Sequence, residues 1–299
     1  MHEVNTLLKY SWKSFLWSLA YILILLSLFT PLSIITFSIM LVPAIILAVT
    51  LNKKTLVLQY MISILICSFI FPPLSIGIVI LSLFILIPSI IMSSLYKKES
   101  AAVTIVIGTI TMLVLFVSVL FVGSLLDFNI STAMEELVNE VVLQYPELSE
   151  ITTEQTLMML QNMLPFYLIM SSVFIVVISH WVSRVILQKM DIQIPKMKPI
   201  KDWKLPKSLI WYYLGALLLQ LFMNPEEGSY TMLITVNLIP LLSFIFSIQA
   251  ISFIFYIADL KKWRFLPILG IVLYPFMYFV YSFLGMLDIA FDIRKGFTT

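Results

Sequence analysis

Runs without a charged residue dominate the chain. Seven of them cover 14–52, 55–96, 100–126, 155–183, 208–225, 228–258 and 265–287. A charged side chain at the centre of a bilayer costs about 2.5–3.5 kcal/mol, so such runs mark membrane-spanning segments. One spanning helix needs about 20 residues. The first two runs are twice that long, and each has proline near its middle: Pro31 in one, Pro72 and Pro73 in the other. Proline has no N–H to donate and suits a turn between helices. The pattern predicts nine apolar segments near 14–30, 33–51, 55–71, 75–96, 101–125, 160–187, 208–223, 230–257 and 265–287. The ninth contains Pro267, Gly270, Pro275 and Gly285, so a broken or re-entrant helix is expected there. The expected fold class is an all-α polytopic membrane protein with eight or nine transmembrane helices.

Composition agrees. The chain is 61% apolar and 11% charged, against about 45–50% and about 25% in soluble domains. Lipid must cover the excess apolar surface. Lys9 and Lys13 precede the first apolar stretch much as in a signal peptide, but the stretch is far longer than an h-region and is read as a retained first span.

Charge then orients the spans. With the N-terminus in the cytoplasm, 16 of the 18 Lys and Arg residues fall on the inner side. They include Lys53, Lys54, Lys97, Lys98, the 184–207 cluster, Lys261, Lys262 and Arg264. The expected outer loops hold acids instead: Asp127, Glu135, Glu136, Glu140, Glu147, Glu150, Glu154, Glu226 and Glu227. This is the positive-inside pattern of a cell (cytoplasmic) membrane protein. All six tryptophans, Trp12, Trp17, Trp181, Trp203, Trp211 and Trp263, lie beside the basic loops, as an interfacial belt requires. Nine crossings would leave Arg294 and Lys295 outside; eight would bring the tail back in.

Two stretches are not plain spans. Residues 127–159 form the largest outer element. Thr132 and Glu135 read as a capping box. Met134, Leu137, Val138, Val141 and Tyr145 follow at helical spacing, Pro146 stops the helix, and a second helix starts near Thr153 and runs into the sixth span. This amphipathic hairpin reads as an interfacial helix pair or as a lid. Residues 189–207 carry six lysines and three prolines, which predicts an irregular, basic cytoplasmic linker. Such a linker attracts anionic lipid and could dock a membrane or cytoplasmic protein partner.

Several short motifs carry a family resemblance: Met40–Val49 (MLVPAIILAV) followed by Lys53-Lys54; Pro199, Trp203, Leu205 and Pro206 before Trp211-Tyr212-Tyr213; Gln249-Ala250; and Gly285, Asp288, Asp292 and Arg294 near the end. Together they resemble the YybS-like family, uncharacterised multi-pass membrane proteins of Firmicutes. That family is distantly similar to the substrate-binding S components of energy-coupling-factor transporters. The resemblance implies an S-component-like six-helix domain over 1–188, the linker 189–207, and added C-terminal helices over 208–299. It brings no established substrate, so no ligand residue carries over.

Candidate chemistry is sparse. No P-loop, paired-cysteine, H-E-x-x-H or G-x-S-x-G motif occurs, so no catalytic residue, cofactor site or metal site is expected, and the chain does not read as an enzyme. The single cysteine, Cys67, reads as a small packing residue, and the net charge of +2 gives no reason to expect nucleic acid. His180 and Arg184 share a helix face near the inner end of span six and read as interfacial. Asn237 and Gln249 are 12 residues apart in span eight, about 18 Å along the axis and about 120° around it, so one small ligand cannot use both. They read as helix–helix hydrogen-bonding groups, with Gln220 as a candidate partner. Asp288 and Asp292 share a face and need Arg294 and Lys295 or a cation to offset their repulsion. Ala44 and Ala48, and Thr104 and Gly108, are small-x-x-x-small pairs; by likeness to S components, Ala44 and Ala48 could instead dock an energising module. The first functional expectation is therefore a solute-binding protein with an outward cavity for a small-molecule ligand. The alternative is a non-transporting scaffold or regulator of envelope growth or division, packed solid.

Overall fold

The computed structural model describes residues 2–146, 154–223 and 229–297. Glu147, Glu150, Thr153, Glu226 and Glu227 lie outside the described residues. Regular structure among the described residues is helical: α1 (His2–Ser27), α2 (Ser33–Ile39), α3 (Val42–Thr50), α4 (Lys53–Ile70), α5 (Ser75–Leu95), α6 (Ala101–Leu125), α7 (Ile130–Gln144), α8 (Glu154–Asn162), α9 (Leu164–Gln188), α10 (Ser208–Met223), α11 (Tyr230–Lys261), α12 (Leu266–Leu273) and α13 (Tyr278–Phe291), with short 3₁₀ turns between some of them. Six helical stretches are long and apolar enough to cross a membrane, and Trp12–Ser27, Ser208–Met223, Leu266–Phe276 and Tyr278–Phe291 are shorter apolar ones. The protein is an all-α polytopic membrane protein. Each of the nine expected segments has a helical counterpart, the second and the ninth each in two pieces.

Proline sets most of the breaks, because it removes a backbone donor and clashes with the carbonyl four residues earlier. Pro31 and the Pro72–Leu74 turn separate the expected hairpins. Pro43 divides the second segment into α2 and α3, and Pro275 divides the ninth. Side-chain caps start other helices: Asn52 accepts from Thr55 N at 3.0 Å and Ser229 from Met232 N at 3.1 Å. The expected capping box at Thr132 is corrected. Asn129 caps α7, its Oδ1 accepting from Ser131 N at 2.9 Å, so the helix opens at Ile130. Nor does α8 run unbroken into the sixth span; it ends at Asn162, and α9 begins at Leu164 just before Pro165.

Packing divides the chain into two units: 1–128 with 168–197, and 129–167 with 198–299. In the first, α1 lies against α3 and α4, α3 against α5, and α5 against α6. Its core is apolar, with Leu25, Met40, Leu41, Ile45, Cys67, Ile85 and Met112 fully buried. Gly108 keeps α6 close to α5 and α9: an added Cβ would sit 3.0 Å from Met92 and 3.1 Å from Val176.

In the second unit α11 is the axis. Its 32 residues run about 48 Å. α10 packs on one side through Tyr213, edge-on to Phe246 with ring centroids 5.3 Å apart. α13 runs parallel to α11: Tyr278 reaches the Pro240 carbonyl, Asp288 meets Gln249, and Arg294 meets Ser252. Gly285 permits that approach, since an added Cβ would fall 1.8 Å from the Phe246 carbonyl oxygen. α12 climbs the other way, Gly270 lying beside Ile254. Its 8 residues and the 14 of α13 are each short of the about 20 that span a bilayer. The ninth segment is thus an up-and-back hairpin that starts and finishes toward the C-terminal end of α11.

Candidate functional site

The polar residues of the second unit converge where α13 stops. Asp292 takes a left-handed conformation, φ 51°, and ends the helix. The 3₁₀ turn Ile293–Phe297 then folds Arg294 back toward Asp288. Both side chains are buried, 3% and 5% exposed for the two residues. Arg294 Nη2 lies 2.9 Å from Asp288 Oδ2, and Nε donates to the same oxygen at 3.0 Å. Gln249, also buried, donates from Nε2 to Asp288 Oδ2 at 2.6 Å. A buried ion pair holds only if its remaining donors and acceptors are satisfied, and here they are. Arg294 Nη1 donates to the Lys201 carbonyl at 2.7 Å, Nη2 to Ser252 Oγ at 3.0 Å, and the guanidinium lies 5.4 Å from the Tyr256 ring centroid.

These bonds fasten the basic linker. Gln249 Oε1 accepts from Leu205 N at 3.1 Å, and Ser252 Oγ lies 2.6 Å from the Ile200 carbonyl and 2.9 Å from that of Trp203. Trp203 Nε1 donates to the Lys198 carbonyl at 2.9 Å. The segment is irregular, as its prolines require, but it is held rather than loose. Exposed ion pairs follow the same path: Lys201 to Asp259 at 2.9 Å, and Asp292 to Lys204 at 3.1 Å and to Lys295 at 3.0 Å. The Asp259 carboxylate raises the Lys201 ammonium above its usual range. Lys295, together with Lys204, holds the Asp292 carboxyl down to about 2. So Gln249, Asp288 and Asp292 come together, with no cation needed to offset the two acids. Chemically the site is a clamp: its carboxylate and guanidinium are bonded to each other, to Gln249 and Ser252, and to backbone.

The other candidates lie elsewhere. Asn237 bridges the break between α8 and α9: its Nδ2 donates to the Asn162 carbonyl at 2.8 Å, and its Oδ1 accepts from Phe166 N at 2.8 Å. Both are helix-end groups left without helical partners, and they replace Gln220, which is exposed. His180 is 1% exposed, and its Nδ1 lies 3.2 Å from Tyr96 Oη. It is a core residue, contrary to the interfacial reading; Arg184 on the same helix is half-buried. Ala44 is 2% exposed in the core of the first unit, and Ala48 packs against that core. Internal packing, the first reading of this small-x-x-x-small pair, therefore takes up the Ala44 face.

Comparison with known proteins fits this picture. Residues 18–289 match the family described as "Predicted membrane protein (DUF2232)". The chain belongs to that family. It is also 28% identical over 146 residues to the uncharacterized protein YybS of Bacillus subtilis (strain 168), a match covering 48% of this chain and 47% of that protein. The aligned stretch thus spans about half the length of that relative. No solved structure matches.

Ser252 and the linker carbonyls were not singled out from sequence. The signal was present in part, since Gln249, Ser252 and Tyr256 follow at helical spacing and share one side of α11. Their partners are backbone groups of an irregular segment, which no side-chain pattern announces.

Proposed function

We propose that this protein is a non-catalytic, non-transporting membrane scaffold. It crosses the membrane eight times, has both ends in the cytoplasm, and holds the 198–207 segment in fixed shape for a protein partner. The observation that carries this reading is the clamp: a buried ion pair and Gln249 tie the linker to α11 and the tail. A mere tether needs no such bonds. The exposed Lys198, Lys204 and Lys207 would meet an acidic partner surface. In the first unit a cavity beside Tyr21, Ala44 and Tyr60 supports the same reading, because it holds about 10 Å³, room for one water at most. The tail lies beside the linker, and if that face is cytoplasmic all 18 Lys and Arg residues are on the inner side.

A second reading, solute binding of the S-component kind, rests on a groove of about 310 Å³ between α7 and α8, lined by Glu135, Asn139 and Gln161. Gentle purification from the native membrane, followed by mass spectrometry, separates the two. A stoichiometric protein partner lost on Arg294→Met supports the scaffold. A bound small molecule or an ATPase pair in its place sinks it. A reporter fused after Thr299 tests the topology; activity outside the cytoplasm would require nine crossings.

A further inference from the structure

At the C-terminal end of α11 an open cleft of about 780 Å³ is lined by Ile200, Lys201, Asp259, Lys262, Trp263 and Arg264, among others. This is within the size range of small-molecule sites. Its charges do not cancel. Asp259 is engaged by Lys201 at 2.9 Å and lies 4.0 Å from Lys262, whose side chain is 84% exposed. Arg264 is exposed and forms no ion pair or hydrogen bond among the described residues. Lys262 is fixed in place by its backbone: it takes the left-handed conformation, φ 58°, and its N–H closes the end of α11 on the Ala258 and Asp259 carbonyls. Lys262 thus has only a 4.0 Å contact to a carboxylate that Lys201 holds more closely, and with Arg264 the cleft carries an excess of positive charge.

Directly beside them the surface turns apolar. Trp263 and Phe265 stack, with ring centroids 6.2 Å apart and planes 22° from parallel, and both are exposed. From Phe265 an exposed strip continues along α12 through Ile268 and Val272, at the i, i+3, i+7 spacing of one helix face. A stacked aromatic pair between cations and an exposed aliphatic face is the arrangement found where headgroups meet acyl chains.

The geometry points to a site for an anionic, phosphate-bearing lipid. The phosphate sits between Lys262 and Arg264, the glycerol region lies on Trp263, and an acyl chain runs along Phe265, Ile268 and Val272. Arg offers the fork that matches phosphate, and Lys a point charge. The apolar strip selects a lipid over a free phosphate, because a soluble anion would use the cations and leave the strip bare. This inference is independent of the scaffold reading.

The test uses the full chain in nanodiscs of phosphatidylcholine with increasing phosphatidylglycerol, with retained lipid counted by native mass spectrometry. The wild type is expected to retain phosphatidylglycerol. One cation removed should weaken retention about fivefold, and Lys262→Ala with Arg264→Ala about twenty-five-fold. Lys53→Ala with Lys54→Ala removes equal charge elsewhere and should change nothing. Phe265→Ser with Ile268→Ser should weaken the lipid without weakening glycerol phosphate. Equal loss in both lysine-containing double variants would show diffuse attraction and overturn the site. No preference over phosphatidylcholine would overturn it as well. Glycerol phosphate binding as tightly as the lipid would reassign the cleft to a soluble anion. An unchanged thermal transition in each variant keeps these outcomes separate from misfolding.

Discussion

In the first unit, α9 carries Ser179, His180 and Ser183 into an apolar core, where Ser179 Oγ and Ser183 Oγ have no hydrogen-bond partner among the described residues. In the second, Asp288, Arg294 and Gln249 are as deeply buried, yet both Asp288 oxygens and all three Arg294 nitrogens are bonded. Side-chain packing shapes the first unit and tolerates a few unpaired polar atoms. Directional bonds shape the second, and they decide which segments meet. The reason lies in what each must hold. Helices with apolar faces fit together by shape, whereas the irregular 198–207 segment offers mainly carbonyls and N–H groups, which only polar partners can fix.

The sharpest way to break this contrast is Arg294→Met. It strands a buried carboxylate, and removing one partner of such a pair costs about 3–5 kcal/mol. The variant should lose stability in detergent titration, and trypsin should cut faster at Lys204 and Lys207. Asp288→Leu with Arg294→Met should recover much of the stability, because an apolar pair avoids the stranded charge. If the double variant also restored trypsin protection, packing alone would be holding the linker, and the contrast would fail.

Gly285→Ala comes next. The added methyl meets backbone, the Phe246 carbonyl, which cannot rotate away. A cost of about 1–3 kcal/mol is expected, read as a lower unfolding midpoint. Gly215→Ala is the control. Its Cβ meets nothing within 4 Å, and the higher helix propensity of alanine should leave the protein unchanged or up to about 1 kcal/mol more stable. A loss at position 215 as large as at 285 would refute the close approach of α11 and α13.

The opposite sign is expected at Ser183. Its hydroxyl is buried without a partner among the described residues, so Ser183→Ala removes a desolvated group and should stabilise by about 1 kcal/mol. A loss instead would mean that the hydroxyl is bonded in the membrane, and the two units would differ less than their geometry suggests.

The fold was largely legible because a bilayer writes its demands into long apolar runs, and because proline at 31, 72, 73 and 275 marks turns without help from tertiary structure. Proline was not sufficient everywhere. Pro43 broke a helix that the apolar run concealed, while Pro88 and Pro240 were absorbed inside α5 and α11. The site was legible at Asp288, Asp292 and Arg294, whose charges in an apolar tail demand one another. It was not legible at Asn237, whose partners are backbone groups at a helix break 71 and 75 residues away. At Thr132 a local motif pointed to the wrong cap because Asn129, three residues earlier, is free to take it.

The smallest effect concerns pH, and its sign follows from Asp292. Lys295 and Lys204 hold its folded-state carboxyl down to about 2, below the about 3.9 of an unfolded chain. A depressed carboxylate stabilises the folded state fully above the unfolded value, and that contribution fades as pH falls from about 4 to about 2. The pair is exposed, so the change is small and weakens further in salt. The expected outcome is a slightly steeper loss of thermal stability over this window in wild type than in Asp292→Asn, with the difference shrinking at high ionic strength. Identical slopes would show that the Lys204 contact adds nothing to the clamp, leaving the bonds from Arg294 to the Lys201 carbonyl and from Lys207 to the Ala290 carbonyl to hold the tail to the linker.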